Sequence, residues 1–600
     1  MFDPSIGSRK ALFALTVLGS LAAATAAVGQ TKQNAACPSE VAYYDPGHGE
    51  DIAVPEGYQV EVFARDLNFP TGLAFLGDKN DFQVLVVESG TGLPSACNDN
   101  RLPAFGGKYA ADNPFTPDLI VFDKHGNRIG GPRFKPTSLK DGYQADGPAI
   151  GLAFENGPEG GTLFATDSNQ GIRGAGFGKG NNSSRVLKLH LGKNEVEPYI
   201  TGLPTGDHPT ELIIVKDGYL YWSQGSATNA GVTGHDNGGG GNQHDIACQQ
   251  ITLSQNTWSS GADGHVTTGY SNHNTSRPGA TVPAFEDATA PGMCTGAILR
   301  SKISDPSRKV QPFSWGYRNP FGLRFAPKDH ALKGNLFVTE NGEDERGARP
   351  TNGVPDRLQI ARMNPDDTPD YHGWPDRFGF LDSTQAAFNP KGGPADDAPA
   401  LVANKPVLHV LAFPPQPPVA PIALEPADVA AVGPDFAPNS FVHGVVRKGA
   451  ALVAREGDFG FSPGNGTPDI GHDVELVNFS KPGEPFRVEL ERFAFNCKKA
   501  DQFHEPGGHA ACHHPQDMAF TEEIHGINRP LQNLFGPDGA LYVVDYGAVR
   551  DFGQSDPKSR FTNPADAPLA QIPGTGTIFR ITRIQASGDA PGDGENENDD

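Results

Sequence analysis

A short apolar hairpin pattern recurs six times along the chain and constrains the fold more than any other feature of the sequence. In each copy a Gly or apolar residue leads a short strand, a turn follows, and a second apolar strand ends in a polar residue. The turns hold Gly, Asp or Pro, which supply the backbone angles of tight turns. The six strand pairs are 71–75 with 84–88, 150–154 with 162–167, 211–215 with 219–222, 321–325 with 335–340, 441–446 with 450–455, and 533–535 with 540–545.

Repeated hairpins of this kind are typical of a β-propeller. A lone hairpin is marginally stable in water, so such units stack on one another. Spacings of roughly fifty to a hundred residues match propeller blades better than solenoid repeats. The 74 Gly and 53 Pro among 600 residues disfavour long helices. We therefore predict an all-β fold, a six-bladed β-propeller with long loop insertions; a β-sandwich with chance hairpins is the alternative.

The segments outside the hairpins divide the chain. Residues 1–26 are predicted to be a signal peptide, because Arg9 and Lys10 precede an apolar run that ends in small residues. Residues 27–53 form an N-terminal extension, and 54–584 form the propeller, with excursions at 231–297 and 390–438. Residues 585–600 are acidic and almost without apolar side chains, which predicts a disordered tail.

Charge and cysteine content narrow the partners and the compartment. The net charge is −23, from 48 Lys and Arg against 71 Asp and Glu, which argues against nucleic acid or an anionic membrane as a partner. No second long apolar stretch exists, so we expect no integral membrane span after signal cleavage. Six cysteines suit an oxidising compartment, and we expect a periplasmic or secreted protein.

The sequence-local disulfide pairing is one choice among the fifteen connectivities that six cysteines allow. It joins Cys37 to Cys97, Cys248 to Cys294, and Cys497 to Cys512.

Asp207 and His208 immediately precede the third hairpin. A neutral His accepts a proton near neutral pH, and an adjacent Asp orients a substrate or the imidazole ring. Polar residues at the ends of propeller strands face the central channel, so this pair is a candidate catalytic group. Taken alone, a solvated loop histidine is the more common interpretation.

Two further clusters flank the fourth hairpin. Arg318 and Asn319 precede it and offer a planar donor fork and an amide, which suit an anionic, carbonyl-rich ligand. The acidic loop 340–345 follows it and suits an oxygen-seeking cation such as Ca²⁺, with Asp356 downstream. Alternatively, Arg318 and Asn319 form a structural corner, and the acidic loop is simply exposed to solvent.

A histidine-rich stretch near Cys512 has no recognised ligand spacing, although a transition metal is an alternative there. Its members are His504, His509, His513 and His514. The sequence has no nucleophile elbow, P-loop or dinucleotide fingerprint.

Taken together and in order, these segments resemble the soluble glucose/sorbosone dehydrogenase family that uses pyrroloquinoline quinone (PQQ). The resemblance covers 54–583. The segments that carry it are 55–64, 69–73, 207–208, 318–320, 340–342, 371–375 and 536–542.

The resemblance implies a six-bladed propeller and a catalytic base. His208 would remove the hydroxyl proton of a small-molecule sugar, an aldose or a sorbosone-like sugar, while Asp207 helps to hold it. Hydride would pass to the quinone, and the electron acceptor that follows is unknown. Oxidation of a sugar is therefore the function that the resemblance implies.

The resemblance also implies the residues that hold the cofactors PQQ and Ca²⁺. Arg318, Asn319 and Arg529 would contact PQQ. The carbonyl groups of Gly342 and Glu343 would bind Ca²⁺, in a loop that Asp356 completes. By its position alone, at the end of the fifth hairpin, Arg455 is a further candidate for PQQ binding.

Some positions depart from the family pattern. An Asp-Glu-Leu-like run is replaced by Asp356-Arg357-Leu358 after a longer insertion, and Leu531 stands where a second arginine is expected. A family glutamine before the second hairpin corresponds to Asp146. Two other functions therefore stay open: a cofactor-free propeller that binds glycan or protein, and a calcium-dependent propeller lactonase.

Overall fold

The computed structural model of the protein describes most of the chain between residues 29 and 584. The described ranges are 29–93, 95–108, 110, 112–131, 147–169, 182–191, 195–234, 244–259, 266–391, 402–457, 470–497, 523–551 and 569–584. The predicted signal peptide, acidic tail, histidine-rich stretch and Cys512 lie outside these ranges and stay predictions. Within them, no helix is long and apolar enough to span a membrane.

Four strands precede the first predicted hairpin: β1 Gln30–Asn34, β2 Cys37–Tyr44, β3 Ile52–Ala53 and β4 Tyr58–Leu67. β1 and β2 pair as an antiparallel hairpin. The disulfide between Cys37 and Cys97 ties this hairpin to the body of the molecule, as the sequence-local pairing predicts. Asn34 adds a hydrogen bond from its Nδ2 to the carbonyl oxygen of Gln571, at 3.0 Å.

The first two sheets each contain four antiparallel strands that follow one another along the chain. The first sheet consists of β5 Pro70–Gly77, β6 Phe82–Glu88, β7 Asp118–Asp123 and β8 Arg128–Gly130. The second consists of β9 Ala149–Phe154, β10 Leu163–Asp167, β11 Ser184–His190 and β12 Glu195–Leu203. The first two predicted hairpins are therefore confirmed, with bounds shifted by one or two residues.

The third sheet begins with β13 Thr210–Lys216 and β14 Tyr219–Gln224. Asp217 and Gly218 connect them with positive φ angles of 49° and 73°, as a two-residue hairpin turn requires. A long excursion follows, with four two-residue strands: β15 Ile251–Thr252, β16 Trp258–Ser259, β17 Val266–Thr267 and β18 Thr281–Val282. The chain then returns in β19 Ala297–Lys302 and β20 Val310–Trp315.

The excursion is packed rather than extended. Its Ile246, Trp258 and Tyr270 are buried in the same apolar cluster as Trp222 of β14. The predicted disulfide between Cys248 and Cys294 is present and closes the excursion near its base.

The fourth sheet contains β21 Asn319–Phe325, β22 Leu336–Asn341, β23 Pro355–Ala361 and, after a second excursion, β27 Ala423–Ala427. Three two-residue strands lie between β23 and β27: β24 Asp370–Tyr371, β25 Arg377–Phe378 and β26 Leu381–Asp382. β24 adds a parallel edge to the third sheet, and β25 pairs with β26.

The remaining long strands form one nine-stranded sheet. Its first half contains β28 Ala431–Phe436, β29 Ala451–Arg455, β30 Asp473–Phe479 and β31 Val488–Asn496, with β3 at the edge. Its second half contains β33 Pro530–Phe535, β34 Leu541–Asp545, β37 Gly576–Arg583 and β4. A single parallel residue pair, Gly433 with Gln532, joins the halves.

Two further strand pairs involve short strands near the C-terminal end of the described chain. β32 Glu523–Ile524 pairs in parallel with β2, and β35 Val549–Asp551 pairs with β36 Leu569–Gln571. Short 3-10 turns include Ala96–Asn98, Pro103–Phe105, Gly157–Glu159, Ala386–Phe388 and Asn439–Phe441.

The fifth predicted hairpin is wrong in its first strand. The partner of β29 is β28, at Ala431–Phe436, and not the predicted segment 441–446. Gly433 and Pro434 made this strand unlike the others in sequence. Gly433 is required because a Cβ there would lie 2.7 Å from the Cα of Gln532. The predicted excursion 390–438 accordingly contains two strands, β27 and β28, that belong to sheets.

The first strands of the sheets contact one another in a ring. In order, β5 contacts β9, β9 contacts β13, β13 contacts β21, β21 contacts β28, β28 contacts β33, and β33 contacts β5. The leading glycines of the hairpin pattern permit this approach. A Cβ on Gly72 would collide with the carbonyl oxygen of Ile150, and one on Gly322 with that of Val432.

Hydroxyl groups on the second strands add ties from one sheet to the next. Thr166 donates to the carbonyl oxygen of Glu211 at 2.6 Å, and Thr339 donates to that of Val432 at 2.8 Å. Ser223 donates to the carbonyl oxygen of Phe321 at 2.9 Å. The structure is therefore all-β with a propeller-like arrangement: four separate sheets and one nine-stranded sheet around a ring of inner strands.

Candidate functional site

Asp207 and His208 lie in the segment that enters β13. Their backbone amides donate to the carbonyl oxygens of Ala227 and Ser226, at 3.0 Å each, so the segment is fastened to the loop that leaves β14. Gly225 makes this approach possible, because a Cβ there would collide with His208. The Asp207 side chain is fully buried, while a quarter of the His208 side chain is exposed.

The Asp207 carboxylate lies between the imidazole ring of His208 and two arginines. Arg346 donates from its NH2 group to Oδ2 of Asp207. The same oxygen is 3.4 Å from Nε2 of His208 and 3.7 Å from NH2 of Arg318. Arg346 and Arg318 therefore compensate the buried negative charge of Asp207 on one side, and His208 faces this charge on the other side.

A second carboxylate, Glu211, approaches the other nitrogen of the ring. Its Oε1 is 3.6 Å from Nδ1 of His208. With the Asn319 amide oriented so that its nitrogen faces Glu211, that nitrogen donates to Oε2 at 2.8 Å. Asn319 thus contacts the His208 environment through Glu211.

Arg318 is held by the loop that follows β22. Its NH2 group donates to Oδ2 of Asp344 at 2.7 Å and to Oδ1 of Asn229 at 3.1 Å. Arg346 donates from Nε to the same Asp344 oxygen at 2.9 Å. Nε of Arg318 is buried and has no hydrogen-bond partner among the described residues.

Asn229 fixes the geometry of this loop. Its Nδ2 donates to the carbonyl oxygens of Asp344 and Arg346, at 2.8 and 3.1 Å, and its Oδ1 accepts from the amide of Asp344 at 3.1 Å. Sequence reasoning did not single out Asn229 or Arg346, and it included Asp344 only as a member of the acidic loop 340–345. The acidic and basic residues of the loop were a signal, but their partners depend on how loops of separate sheets meet.

The residues predicted to hold Ca²⁺ lie next to this cluster. Both carboxylate oxygens of Asp356 accept backbone N–H groups, from Gly342 at 2.7 Å and from Ala431 at 3.1 Å. Burial raises the pKa of Asp356 to about 7. Asp356 therefore fastens the loop to β28.

Glu343 is buried and faces Arg357, whose NH2 group is 3.8 Å from its Oε2. Burial raises the pKa of Glu343 to about 7, although Arg357 opposes the shift. Among the described residues, no group of three or more His, Cys, Asp and Glu side chains is placed to hold a metal ion. Gly342, Glu343 and Asp356 as ligands of Ca²⁺ therefore stay a prediction.

The two other predicted cofactor residues have contacts of their own. Arg455 lies within 3.2 Å of carboxyl oxygens of Asp473, Glu475 and Glu425. Arg529 is fully buried, and its NH1 group donates to the carbonyl oxygen of Gly457 at 3.4 Å. A role of either residue in cofactor binding stays a prediction.

Leu531, at the position of the expected second arginine, is buried in the apolar cluster that contains Ile150, Phe321 and Val432. It therefore belongs to the core around the inner strands.

Comparison with known proteins does not place the chain in a family. No protein-family model matches the sequence, and no curated protein matches it. Solved structures that match include the calcium structure of the Trichoderma reesei carbohydrate-active enzyme family AA12, at 14% identity and a TM-score of 0.45, covering 89% of this chain and 97% of that one.

Two other solved structures are similar at the same level. The soluble aldose sugar dehydrogenase from Escherichia coli in its apo form is 12% identical with a TM-score of 0.42, covering 88% of this chain and 99% of that one. The RRP9 WD40 repeats are 9% identical with a TM-score of 0.31, covering 92% and 99%. We take no functional assignment from likenesses at this level.

Proposed function

We propose that the protein oxidises a small sugar, an aldose or a sorbosone-like sugar, with PQQ as the hydride acceptor and His208 as the general base. The observation that supports this most is the His208 side chain, which is partly exposed while the carboxylate beside it is buried and charge-compensated. A partly exposed imidazole held by a rigid neighbour is suited to take a proton from a substrate hydroxyl.

In this proposal each residue of the cluster has one task. His208 accepts the hydroxyl proton of the sugar at one ring nitrogen. Asp207, held by Arg346, keeps the ring in place. PQQ, when bound, supplies the two-electron acceptor for the hydride that leaves the sugar carbon bearing that hydroxyl group.

We propose Arg318 as the residue that contacts an acidic quinone, because its Nε is a buried donor with no acceptor among the described residues. Asn319 and Arg529 are proposed with it on the resemblance alone, and Arg455 is the weakest candidate because three carboxylates already surround it. The fit to PQQ is therefore partial. We propose the backbone carbonyl groups of Gly342 and Glu343 as ligands of Ca²⁺.

We further propose that the propeller has six blades. The nine-stranded sheet would count as two blades of four strands, since one residue pair joins its halves and β3 only extends an edge. The ring of six inner strands supports this count. Residues 54–584 would then form the propeller, behind a cleaved signal peptide at 1–26 and an extension at 27–53, in an exported protein.

The deciding experiment adds PQQ and Ca²⁺ to the purified apo-protein. PQQ binding is measured by its absorbance change, and turnover by the sugar-dependent reduction of an artificial dye across a panel of aldoses and sorbosone-like sugars. Both signals are expected. Absence of both would contradict the proposed oxidation and favour a propeller that binds glycan or protein without cofactor.

The role of His208 is tested by substitution. We expect His208→Ala to lower kcat by about a thousandfold, because a general base contributes on that order, while PQQ binding is retained. His190→Ala is the matched control, since His190 lies on β11 with a third of its side chain exposed. Equal activity of the two variants would contradict the assignment of the base.

A further inference from the structure

Three fully buried charged side chains meet where the loop after β22 begins. The side chains of Glu340, Glu343 and Arg357 are each exposed by no more than 1%. The NH2 group of Arg357 is 3.0 Å from Oε1 of Glu340 and 3.8 Å from Oε2 of Glu343. Neither carboxylate oxygen of Glu343 accepts a hydrogen bond from a described residue. The guanidinium group is thus the cation that the two carboxylates share.

The strand pairing fixes the guanidinium group in this position. Arg357 on β23 is the cross-strand partner of Glu340 on β22, so the two side chains leave the sheet as neighbours. Its NH1 group donates to the carbonyl oxygen of Arg377 at 3.4 Å. Its Cζ atom is 5.9 Å from the centre of the Phe378 ring. Contacts from β22 and β25 therefore hold the group on two sides.

Glu340 carries the effect of this charge to the candidate site. Its Oε1 accepts the backbone amide of Arg318 at 2.9 Å, and its Oε2 accepts from Nε2 of Gln359 at 2.6 Å. The carboxylate oxygen that contacts Arg357 is therefore the one that holds the peptide of Arg318. If Arg357 were absent, this buried carboxylate pair directly behind that peptide would lose the guanidinium group that pairs with both of its members.

We propose that Arg357 is a resident cation, which takes the place of a metal ion between Glu340 and Glu343 and positions the Arg318 segment through Glu340. A Ca²⁺ ion needs six to eight oxygen ligands, and here a fixed positive group already occupies the space between the two acids. The side-chain carboxylates of Glu340 and Glu343 therefore have their charge compensated by a residue of the chain itself, separately from the Ca²⁺ proposed at the backbone carbonyl groups of Gly342 and Glu343. This inference does not require the proposed sugar oxidation.

The test compares the melting temperature of the full-length apo-protein in a calcium chelator and in excess Ca²⁺. Three variants are used: Arg357→Gln removes the charge, Arg357→Lys keeps a charge, and Arg357→Glu adds a third carboxylate. Arg324→Gln is the control, because Arg324 on the neighbouring β21 pairs with Asp435 at 2.9 Å.

We expect Arg357→Gln to melt roughly 3 °C below the wild type, with little gain from Ca²⁺. Arg357→Lys should lose less, and Arg324→Gln should lose least. Arg357→Glu should be the least stable variant in chelator and should gain more from Ca²⁺ than any other chain, because its acid completes a three-carboxylate cation site. If Arg357→Glu does not fold in chelator, the proposal is still tested by comparing Arg357→Gln with Arg357→Lys, because only the Lys variant keeps the positive charge.

Two results would overturn the proposal. One is an Arg357→Gln chain as stable as the Arg324→Gln control. The other is a folded Arg357→Glu chain that gains no more from Ca²⁺ than the wild type does. PQQ binding is measured separately on the wild type, so failure to bind the quinone leaves this test unaffected.

Discussion

Arg455 lies among three acidic side chains. Its Nε and NH2 groups donate to the two oxygens of Asp473 at 2.7 Å each, and its NH1 group contacts Glu475 at 2.9 Å and Glu425 at 3.2 Å. Burial and a hydrogen bond with Glu425 raise the pKa of Glu475 well above its ordinary value. One carboxyl group of this cluster therefore keeps its proton at neutral pH.

Because of this proton, the free energy of unfolding depends on pH through one residue, Glu475. The folded state keeps a proton on Glu475 that the unfolded state releases above its ordinary pKa of 4.5, so folding stability falls as the pH rises above that value. We expect Glu475→Gln to be more stable than the wild type, with a gap that widens by up to about 1.4 kcal/mol per pH unit towards alkaline pH.

The measurement is denaturant unfolding at a series of pH values. Glu489→Gln is the control, because Glu489 is on the adjacent strand β31 with half of its side chain exposed. A gap that stays constant or narrows with rising pH would contradict the protonated state of Glu475.

At the residue scale the sequence located the candidate site but not its full composition. Asp207 and His208 were predictable, since two adjacent reactive side chains stood at a strand end. Arg346 was not, because its partner Asp207 belongs to a loop of another sheet. Whether a carboxylate faces a ligand or an arginine depends on such contacts, which a sequence does not record.

At the scale of elements, hairpins with a regular turn were predictable and the irregular one was not. The Asp217-Gly218 turn is recognisable because it requires positive φ at both positions. β28 was missed, because Gly433 and Pro434 resemble loop residues in sequence. Gly433 allows the backbone of β33 to approach closely, and this requirement is visible only once the ring of strands is assembled.

Also at the scale of elements, the stability of the excursion between β14 and β19 depends on its disulfide. Cys248 and Cys294 are buried beside Trp222 and Trp258, and they close a loop of sequence separation 46. We expect the Cys248→Ala, Cys294→Ala double variant to be less stable by about 2–4 kcal/mol, because the unfolded chain regains the entropy of that loop. The check is thermal unfolding of the oxidised chains.

A comparison with the reduced wild type serves as its control. The reduced wild type and the reduced double variant should unfold alike within the excursion. Unchanged unfolding of the oxidised double variant would show that packing alone holds this segment.

At the scale of the whole molecule, the last sheet closes with a strand from near the N-terminus. β37 lies between β34 and β4, and residues Tyr58–Leu67 and Gly576–Arg583 pair along their length. Phe579 and Ile581 of β37 are fully buried in the cluster shared with Leu452 and Leu541. The ends of the propeller-like body are thus joined in one sheet.

Truncation tests this closure. A chain that ends at Thr575 lacks β37 and leaves β34 and β4 without their shared partner. We expect it to melt at least roughly 10 °C lower or to aggregate, because two strand edges and buried apolar side chains become exposed. A chain that ends at Ile584 loses only the predicted acidic tail and should melt like the wild type; similar melting of both truncations would contradict the closure.

The hydroxyl ties between sheets have an evolutionary consequence. Thr166, Ser223 and Thr339 each reach a backbone carbonyl oxygen of the following sheet, which every residue type provides. Neighbouring sheets therefore constrain one another at a few inner positions and leave the outer connections free to vary in length. Insertions in the outer connections, such as the excursion between β14 and β19, leave these inner hydrogen bonds in place, so loop length is the part of such a chain that evolution can change freely.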